Sequence, residues 1–341
     1  MIISRSPYRI TLGGGGTDRP EFYEKHGGFV ISMALDKYIY VTLKPDFIEK
    51  EVKVRYLKTE IVKDLQSLQH DRAREALKQH GLHTSIEVSS CGDVPGNTGL
   101  GSSGSYLVAL LNLIRYYNKD SICQQSLAEE AFSIEYDLLN HPVGKQDQYI
   151  AAFGGFKTFS FPKDINSLPK VRDVKISHSD TLSLVNNLQI YFLKKTRDAS
   201  SILTEQSAQK PGNEDRLLKV KDMGYQTLSL LESCNFDEYG LMLDKYWTLK
   251  KQFSKNMSFS FVDNIYSELK SRFGVLGGKI IGAGGGGFLM IYANKNHRSI
   301  EKFMSENKAP KLDYLPEYHG STILGDFTST NQKRPCHAAN S

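Results

Sequence analysis

The spacing of apolar residues changes period along this chain. From Ile2 to Leu12 (IISRSPYRITL) it reads as a strand with polar interruptions, running into four glycines, Gly13 to Gly16. Residues 29–44 are rich in β-branched and aromatic side chains, and Asp36-Lys37 predicts a break into two strands. Residues 51–57 and 84–90 predict two more strands, with a short amphipathic helix at 70–80 between them. Residues 101–118 open on Gly-Ser-Ser-Gly-Ser and continue YLVALLNLIRYYN, apolar on most faces, which predicts a buried helix. Gln124 to Asn140 predicts a second helix ended by His141-Pro142, and Gly144 to Phe153 a third stopped by Gly154-Gly155. Strands are predicted at 156–161 and 188–194. Helical spacing then dominates at 198–208, 213–233, 236–253 and 259–273. Two short apolar runs, 276–282 and 287–293, flank Gly284 to Gly287; a helix at 297–307 and a strand at 320–325 follow, then a polar tail from Thr328.

No repeat at a fixed period is visible, and 341 residues predict two lobes, 1–157 and 158–341. Hydrophobic residues at 40% and charged residues at 24% exclude a disordered chain, a collagen or a coiled coil. A net charge of +5 over so large a surface argues against a nucleic-acid partner but suits anionic small molecules. No apolar run reaches the ~18–20 residues that span a bilayer. Met1-Ile2-Ile3-Ser4-Arg5 lacks the basic and apolar regions of a secretory signal, so the expected setting is cytoplasmic, away from membranes. Cys91, Cys123, Cys234 and Cys336 are too scattered for a disulfide framework or a Cys-rich zinc site.

Glycine carries the chemistry. Of three glycine-rich segments (13–16, 96–104 and 282–287), the middle one is the most specific: Pro95-Gly96-Asn97-Thr98-Gly99-Leu100-Gly101-Ser102-Ser103-Gly104, directly before the buried helix. Loop glycines aim successive N–H groups inward, the helix N-terminus adds unsatisfied donors and partial positive charge, and Ser102 and Ser103 offer hydroxyls to phosphate or Mg²⁺. A serine N-cap alone would not need the glycines. No Walker G-x-x-x-x-G-K-[S/T] and no protein-kinase H-R-D or D-F-G motif exists. Residues 282–287 match G-x-G-x-x-G literally, but an apolar run follows instead of a helix, which weakens a dinucleotide-binding reading.

Glu135 lies on the following helix, and Gly144-Lys145-Gln146-Asp147-Gln148 comes soon after. Phosphoryl transfer wants oxygen ligands for Mg²⁺, a base at the acceptor hydroxyl and a cation at the transferring phosphoryl. Glu135, Asp147 and Ser103 offer the oxygens; Arg9 and Lys145 are both candidate cations.

Three segments in order resemble the GHMP kinases, the galactokinase–homoserine kinase–mevalonate kinase–phosphomevalonate kinase superfamily: Ser6-Pro7-Tyr8-Arg9-Ile10-Thr11-Leu12-Gly13-Gly14, the Pro95 to Ser103 loop, and Gly282-Ala283-Gly284-Gly285-Gly286-Gly287. The first continues Gly-Gly-Gly-Thr-Asp where galactokinases and mevalonate kinases have Gly-Glu-His, and so resembles the sugar 1-kinases of D-glycero-D-manno-heptose 7-phosphate and the fucokinase domains. Gly104 stands where alanine is usual. The resemblance implies an α+β, two-lobed fold with a mixed-sheet N-lobe and a ferredoxin-like C-lobe. It implies roles for Asp147 as base or orienter, Arg9 at the transferring phosphoryl, and Glu135 and Ser103 at Mg²⁺. Residues 96–103, led in by Pro95, would wrap the ATP phosphates. Gly15, Gly16, Thr17, Asp18 and Gly285 would contact the sugar. Arg197 is favoured for the sugar's own phosphate over Lys194, Lys195 and Arg19.

The expected reaction is ATP-dependent phosphorylation of the anomeric hydroxyl of a heptose 7-phosphate, serving nucleotide-activated heptose synthesis for surface polysaccharide. An anomeric hydroxyl is more acidic than an ordinary alcohol, so a modest base suffices. A neutral-sugar 1-kinase such as fucokinase is the alternative within the class; a catalytically silent protein of the same fold and a nicotinamide-dependent oxidoreductase stand further off.

Overall fold

The computed structural model describes residues 1–46, 48–96, 98–164, 167–194, 204–207, 209–254, 257–282 and 286–327. Its larger sheet contains β1 (Ile2–Gly13), β2 (Gly28–Pro45), β3 (Val52–Arg55), β4 (Thr59–Val62), β5 (Ile86–Gly92), β6 (Phe156–Phe161), β7 (Lys170–Asp173) and the C-terminal strand β12 (Thr322–Asp326). The order is β12-β1-β2-β5-β3-β4, with β6 paired to the other end of β2 and β7 beyond it. Among the described residues only β3–β5 is parallel in this sheet.

β2 runs unbroken past Asp36-Lys37, where the sequence predicts a break. β1 pairs Pro7 with Tyr38 and Tyr8 with Leu35, so Asp36 and Lys37 form a two-residue bulge. Asp36 is tied down there by Leu315, its N–H donating to the Leu315 carbonyl (2.9 Å) and its carboxylate accepting from the Leu315 N–H (2.9 Å). The bulge re-aims the strand. Before it, Val30 and Ala34 face the helical layer and Phe29, Ile31, Met33 and Leu35 face the smaller lobe; after it, Val41 and Leu43 face the helices.

The helical layer is α2 (Asp71–Gln79), α3 (Ser102–Tyr117), α4 (Gln124–Ser133) and α5 (Gln146–Phe153). α3 is its centre, buried at every residue from Gly104 to Leu111, because apolar side chains surround it on most faces. α4 does not continue to Asn140 as an α-helix: it widens into a π-turn at Ile134–Leu138, with Leu139 N–H bonding the Ile134 carbonyl. Glu135 sits on that turn.

The smaller sheet contains β8 (Leu188–Phe192), β9 (Gly277–Ile280), β10 (Phe288–Tyr292) and β11 (Lys311–Leu312), all antiparallel, in the order β11-β8-β10-β9. In chain order that is 4-1-3-2, the ferredoxin-like arrangement. Its helices are α7 (Asn213–Glu232), α8 (Phe236–Lys250), α9 (Ser260–Phe273) and α10 (His297–Glu306), with α6 (His178–Asn187) leading into β8 and α1 (Pro20–His26) back near the first glycines. The fold is thus α+β and two-lobed. Residue 157 falls inside β6, whose partners β2 and β7 belong to the larger sheet, and the chain crosses between sheets after β7. β4, β7 and α6 are short elements with no clear period in the sequence. Among the described residues no helix is long and apolar enough to cross a membrane, and Cys91, Cys123 and Cys234 are exposed free thiols.

Candidate active site

A cleft opens where the two sheets meet. Its larger-lobe wall is built from β1, the loop before α3 and the N-terminus of α5. Arg9, on β1, is pinned three ways. Its Nε and Nη2 donate to the two oxygens of Asp147, each at 2.7 Å, its Nη1 donates to the Gly99 carbonyl, and its backbone N–H donates to the Leu100 carbonyl at 3.0 Å. The bidentate fork fixes the Asp147 carboxylate in the first turn of α5. Two guanidinium N–H groups remain for another oxyanion.

Gly101 opens α3 in the left-handed region (φ 81°), and a Cβ there would meet Arg9 Nε at 3.2 Å and Asp147 Oδ2 at 3.3 Å. At Gly104 a Cβ would come within 2.9 Å of the Asp147 Cβ, so the missing side chain lets the first turns of α3 and α5 abut. Two helix N-termini, each with partial positive charge, therefore converge beside Asp147. Ser102 and Ser103 stand on this wall with Gly99 and Gly101.

Asp18 lies deeper, 2% exposed, its carboxylate accepting from the backbone N–H of Gly16 (3.1 Å) and of Gln146 (3.0 Å). Burial pushes its pKa up and the Asp147 charge adds to this, against the pull of those amides. Gly15 and Gly16 line the cleft beside it. Thr17 does not: its hydroxyl lies within bonding reach of the carbonyls of Gly14 (2.8 Å) and Phe29 (2.9 Å), to one of which it donates, and accepts from the Phe29 N–H (3.0 Å), stapling the turn. Pro95 and Gly96 are exposed outside the wall, Thr98 bonds back to the Pro95 carbonyl (2.9 Å), and Leu100 is a core residue. Asn97, Lys195, Arg197 and Gly285 lie outside the described residues.

Glu135 is fully buried just behind the wall. Arg72 Nε donates to one of its oxygens (2.7 Å) and Gln148 Nε2 to the other (2.6 Å); Arg72 and Gln148 both line the cleft. Arg72 also reaches His141 Nδ1 at 3.0 Å. The Gln148 Oε1 is buried without a partner. A carboxylate, an unanswered amide oxygen and the nearby Ser103 hydroxyl are hard oxygen donors, which fits a Mg²⁺ that keeps waters and takes phosphate oxygens. Lys145 is not a cleft cation: its ammonium bonds both oxygens of Glu129, at 2.8 and 2.6 Å. Arg19 is on the wall, paired with Glu21 at 2.6 Å.

The smaller lobe contributes Tyr246 and Lys250 from α8, Lys279 from β9 and Gly282. Lys250 Nζ donates to the Gly282 carbonyl at 2.6 Å. The sequence reading passed over Lys250, Lys279 and Arg72. Lys279 alone left a legible signal, a charge inside the apolar run 276–282. The glycine string at 282–287 leads into β10, a strand, so the dinucleotide-binding reading lacks the helix it needs.

Residues 68–155 match the family model described as GHMP kinases N terminal domain. The chain is 28% identical over 324 residues to the D-glycero-alpha-D-manno-heptose 7-phosphate kinase of Campylobacter jejuni, covering 89% of this chain and 94% of that protein. It is 26% identical over 356 residues to the L-fucokinase/L-fucose-1-P guanylyltransferase of Bacteroides fragilis, covering 90% of this chain and 36% of that protein. Its fold is similar to the crystal structure of a D-glycero-D-manno-heptose 1-phosphate kinase from Bacteroides thetaiotaomicron, with a TM-score of 0.78, 20% identity, and coverage of 96% and 100% of the two chains.

Proposed function

For this chain, a member of the GHMP kinase superfamily and a phosphotransferase that acts on a sugar hydroxyl, we propose that the acceptor is the anomeric hydroxyl of D-glycero-D-manno-heptose 7-phosphate. The products are the 1,7-bisphosphate and ADP, in a cytoplasmic route to nucleotide-activated heptose for surface polysaccharide. The observation that carries the chemistry is the Arg9–Asp147 fork set where the N-termini of α3 and α5 converge. The sugar identity rests on the nearly full-length similarity to the C. jejuni kinase.

In this reading the backbone donors of Gly99 and of Gly101 to Ser103, the part of the 96–103 loop that lines the cleft, hold the nucleotide phosphates. Asp147 receives the proton of the anomeric hydroxyl through a lone pair that Arg9 leaves open. Arg9 keeps that carboxylate aimed, and its two spare N–H groups meet the charge that develops on the transferring phosphoryl. Asp18, with Gly15 and Gly16, accepts from the sugar hydroxyls. Glu135, Ser103 and Gln148 would hold Mg²⁺, which supplies charge neutralisation at the phosphate oxygens. In-line placement then carries much of the rate.

The test is ³¹P NMR of products formed from Mg·ATP with free heptose, heptose 7-phosphate, fucose and galactose. Heptose 7-phosphate is expected to yield an anomeric phosphate resonance beside the retained 7-phosphate. Faster turnover of fucose would favour the fucokinase reading that the B. fragilis similarity supports. No turnover of any sugar would overturn both.

A further inference from the structure

Lys279 is an anomaly of charge. It sits in β9 between Gly278 and Ile280, is 2% exposed, and lines the cleft. Its ammonium lies 4.6 Å from the centre of the Tyr246 ring, and no carboxylate or carbonyl hydrogen-bonds it among the described residues. A buried ammonium without an anion is expensive to keep. Lys250, one helix away and 8% exposed, gives one proton to the Gly282 carbonyl and has two left.

The neighbours do not neutralise the pair. Arg9, from β1, adds a third positive charge and is committed to Asp147. Asp147 on α5 is paired with Arg9, and Asp18 accepts from two backbone amides. Tyr246, on α8 with Lys250, places its hydroxyl 3.4 Å from the Gly15 carbonyl. Asp18 thus offers Lys250 a partial counter-charge across the cleft, and neither ammonium has a carboxylate hydrogen-bonded to it among the described residues.

We infer that Lys250 and Lys279, brought together by α8 and β9 on the smaller-lobe wall, form the seat for a phosphate carried by the acceptor sugar. The inference rests on the reading of the acceptor as a phosphorylated sugar. Gly282, whose carbonyl Lys250 holds, packs against Gly99 at the edge of the nucleotide cradle, and Tyr246, against which Lys279 lies, reaches across the cleft to the Gly15 carbonyl beside Asp18, so the lysines lie between the cradle and the group assigned to sugar hydroxyls. A compact ammonium suits a phosphate at the end of a flexible chain, because it demands charge and little angular precision. Burial, reinforced by Arg9 and opposed by Asp18, pushes the Lys250 pKa down to about 8, and burial with Lys250 and Arg9 nearby pushes Lys279 well below the ordinary lysine value. An arriving dianion draws protons back onto them.

The test is titration calorimetry of the full chain with heptose 7-phosphate and with free heptose, in wild type, Lys279→Met, Lys250→Met and Lys279→Arg. In wild type the phosphorylated sugar binds more tightly, taking up on the order of one proton near pH 8.5 across buffers of different ionisation heat. Each methionine variant loses about 10–100-fold of that preference, as expected for a charge-assisted contact, and Lys279→Arg recovers part of it. Unliganded Lys279→Met is expected to melt at a higher temperature, because a buried unpaired charge is gone; a purely structural lysine would lower it. Equal wild-type affinity for both sugars overturns the acceptor reading and this inference with it. A preference that survives in both methionine variants overturns the lysine seat alone. A loss confined to a non-hydrolysable ATP analogue assigns the lysines to the nucleotide's terminal phosphate and also overturns the seat.

Discussion

The two walls of the cleft handle charge in opposite ways. On the larger lobe nearly every charge is answered at close range: Arg9 by Asp147, Arg72 by Glu135, Lys145 by Glu129, Asp18 by backbone amides. On the smaller lobe Lys250 and Lys279 are buried and face the cleft with no carboxylate hydrogen-bonded to them among the described residues. A paired wall is already shaped for catalysis and needs little reorganisation when substrate arrives. An unpaired wall stores a demand for an anion, and that demand can discriminate between acceptors. Catalytic placement and selection of substrate are thus divided between lobes.

The contrast can be broken at several points. The largest effect is expected from Asp147→Ala: turnover falls about 10²–10⁴-fold, the usual contribution of a positioned base, while nucleotide affinity measured by a fluorescent ATP analogue holds. Sugar phosphorylation at near wild-type rates would remove Asp147 from the chemistry. Arg72→Gln comes next. It leaves Glu135 buried without its cation, and stability drops by about 3 kcal/mol in thermal or urea unfolding. Added Mg²⁺ should restore much of that loss, because a metal held by Glu135 supplies the positive charge that Arg72 gave; no rescue would mean Glu135 does not hold metal.

A pH profile sharpens the contrast. Lys250, held near 8 by burial, is charged below that value and neutral above it. The kcat/KM for a phosphorylated sugar, which reports on the free enzyme, should therefore decline as pH rises through about 8. The same profile for an unphosphorylated sugar should stay flatter there. Last, Gly104→Ala pushes a methyl against the Asp147 Cβ. A few-fold decrease in kcat with unchanged ATP affinity is expected, since small displacements of a reacting group are costly.

Elements with a long, uniform period were legible in the sequence. α3 announced itself through apolar residues on most faces, and β1 through an apolar strand ending in glycines. Asp36-Lys37 misled because two polar residues look like a turn; nothing local in them says that Leu315, far along the chain, will hold them as a bulge. The Pro95 to Ser103 loop and Asp147 could be found because glycines and hydroxyls before a buried helix suit few other purposes. Arg72 could not. On a short helix a charged residue reads as solvated surface, and only the π-turn that carries Glu135 inward gives it a buried partner. Lys145 failed as a cleft cation for the mirror-image reason, since Glu129 on α4 claims it. Lys279 was legible in principle, because a charge amid Val275, Leu276, Ile280 and Ile281 had to be buried.

β12 lies at the edge of the larger sheet, pairing Ile2 with Asp326 and Arg5 with Thr322. The first strand of the chain therefore waits for a partner more than 300 residues downstream. Until that partner emerges from the ribosome, the outer edge of β1 is an open template for any passing strand. A truncation just before Thr322 would make that transient exposure permanent. Aggregation during synthesis, more than loss of catalysis, is the failure such a shortened chain should show.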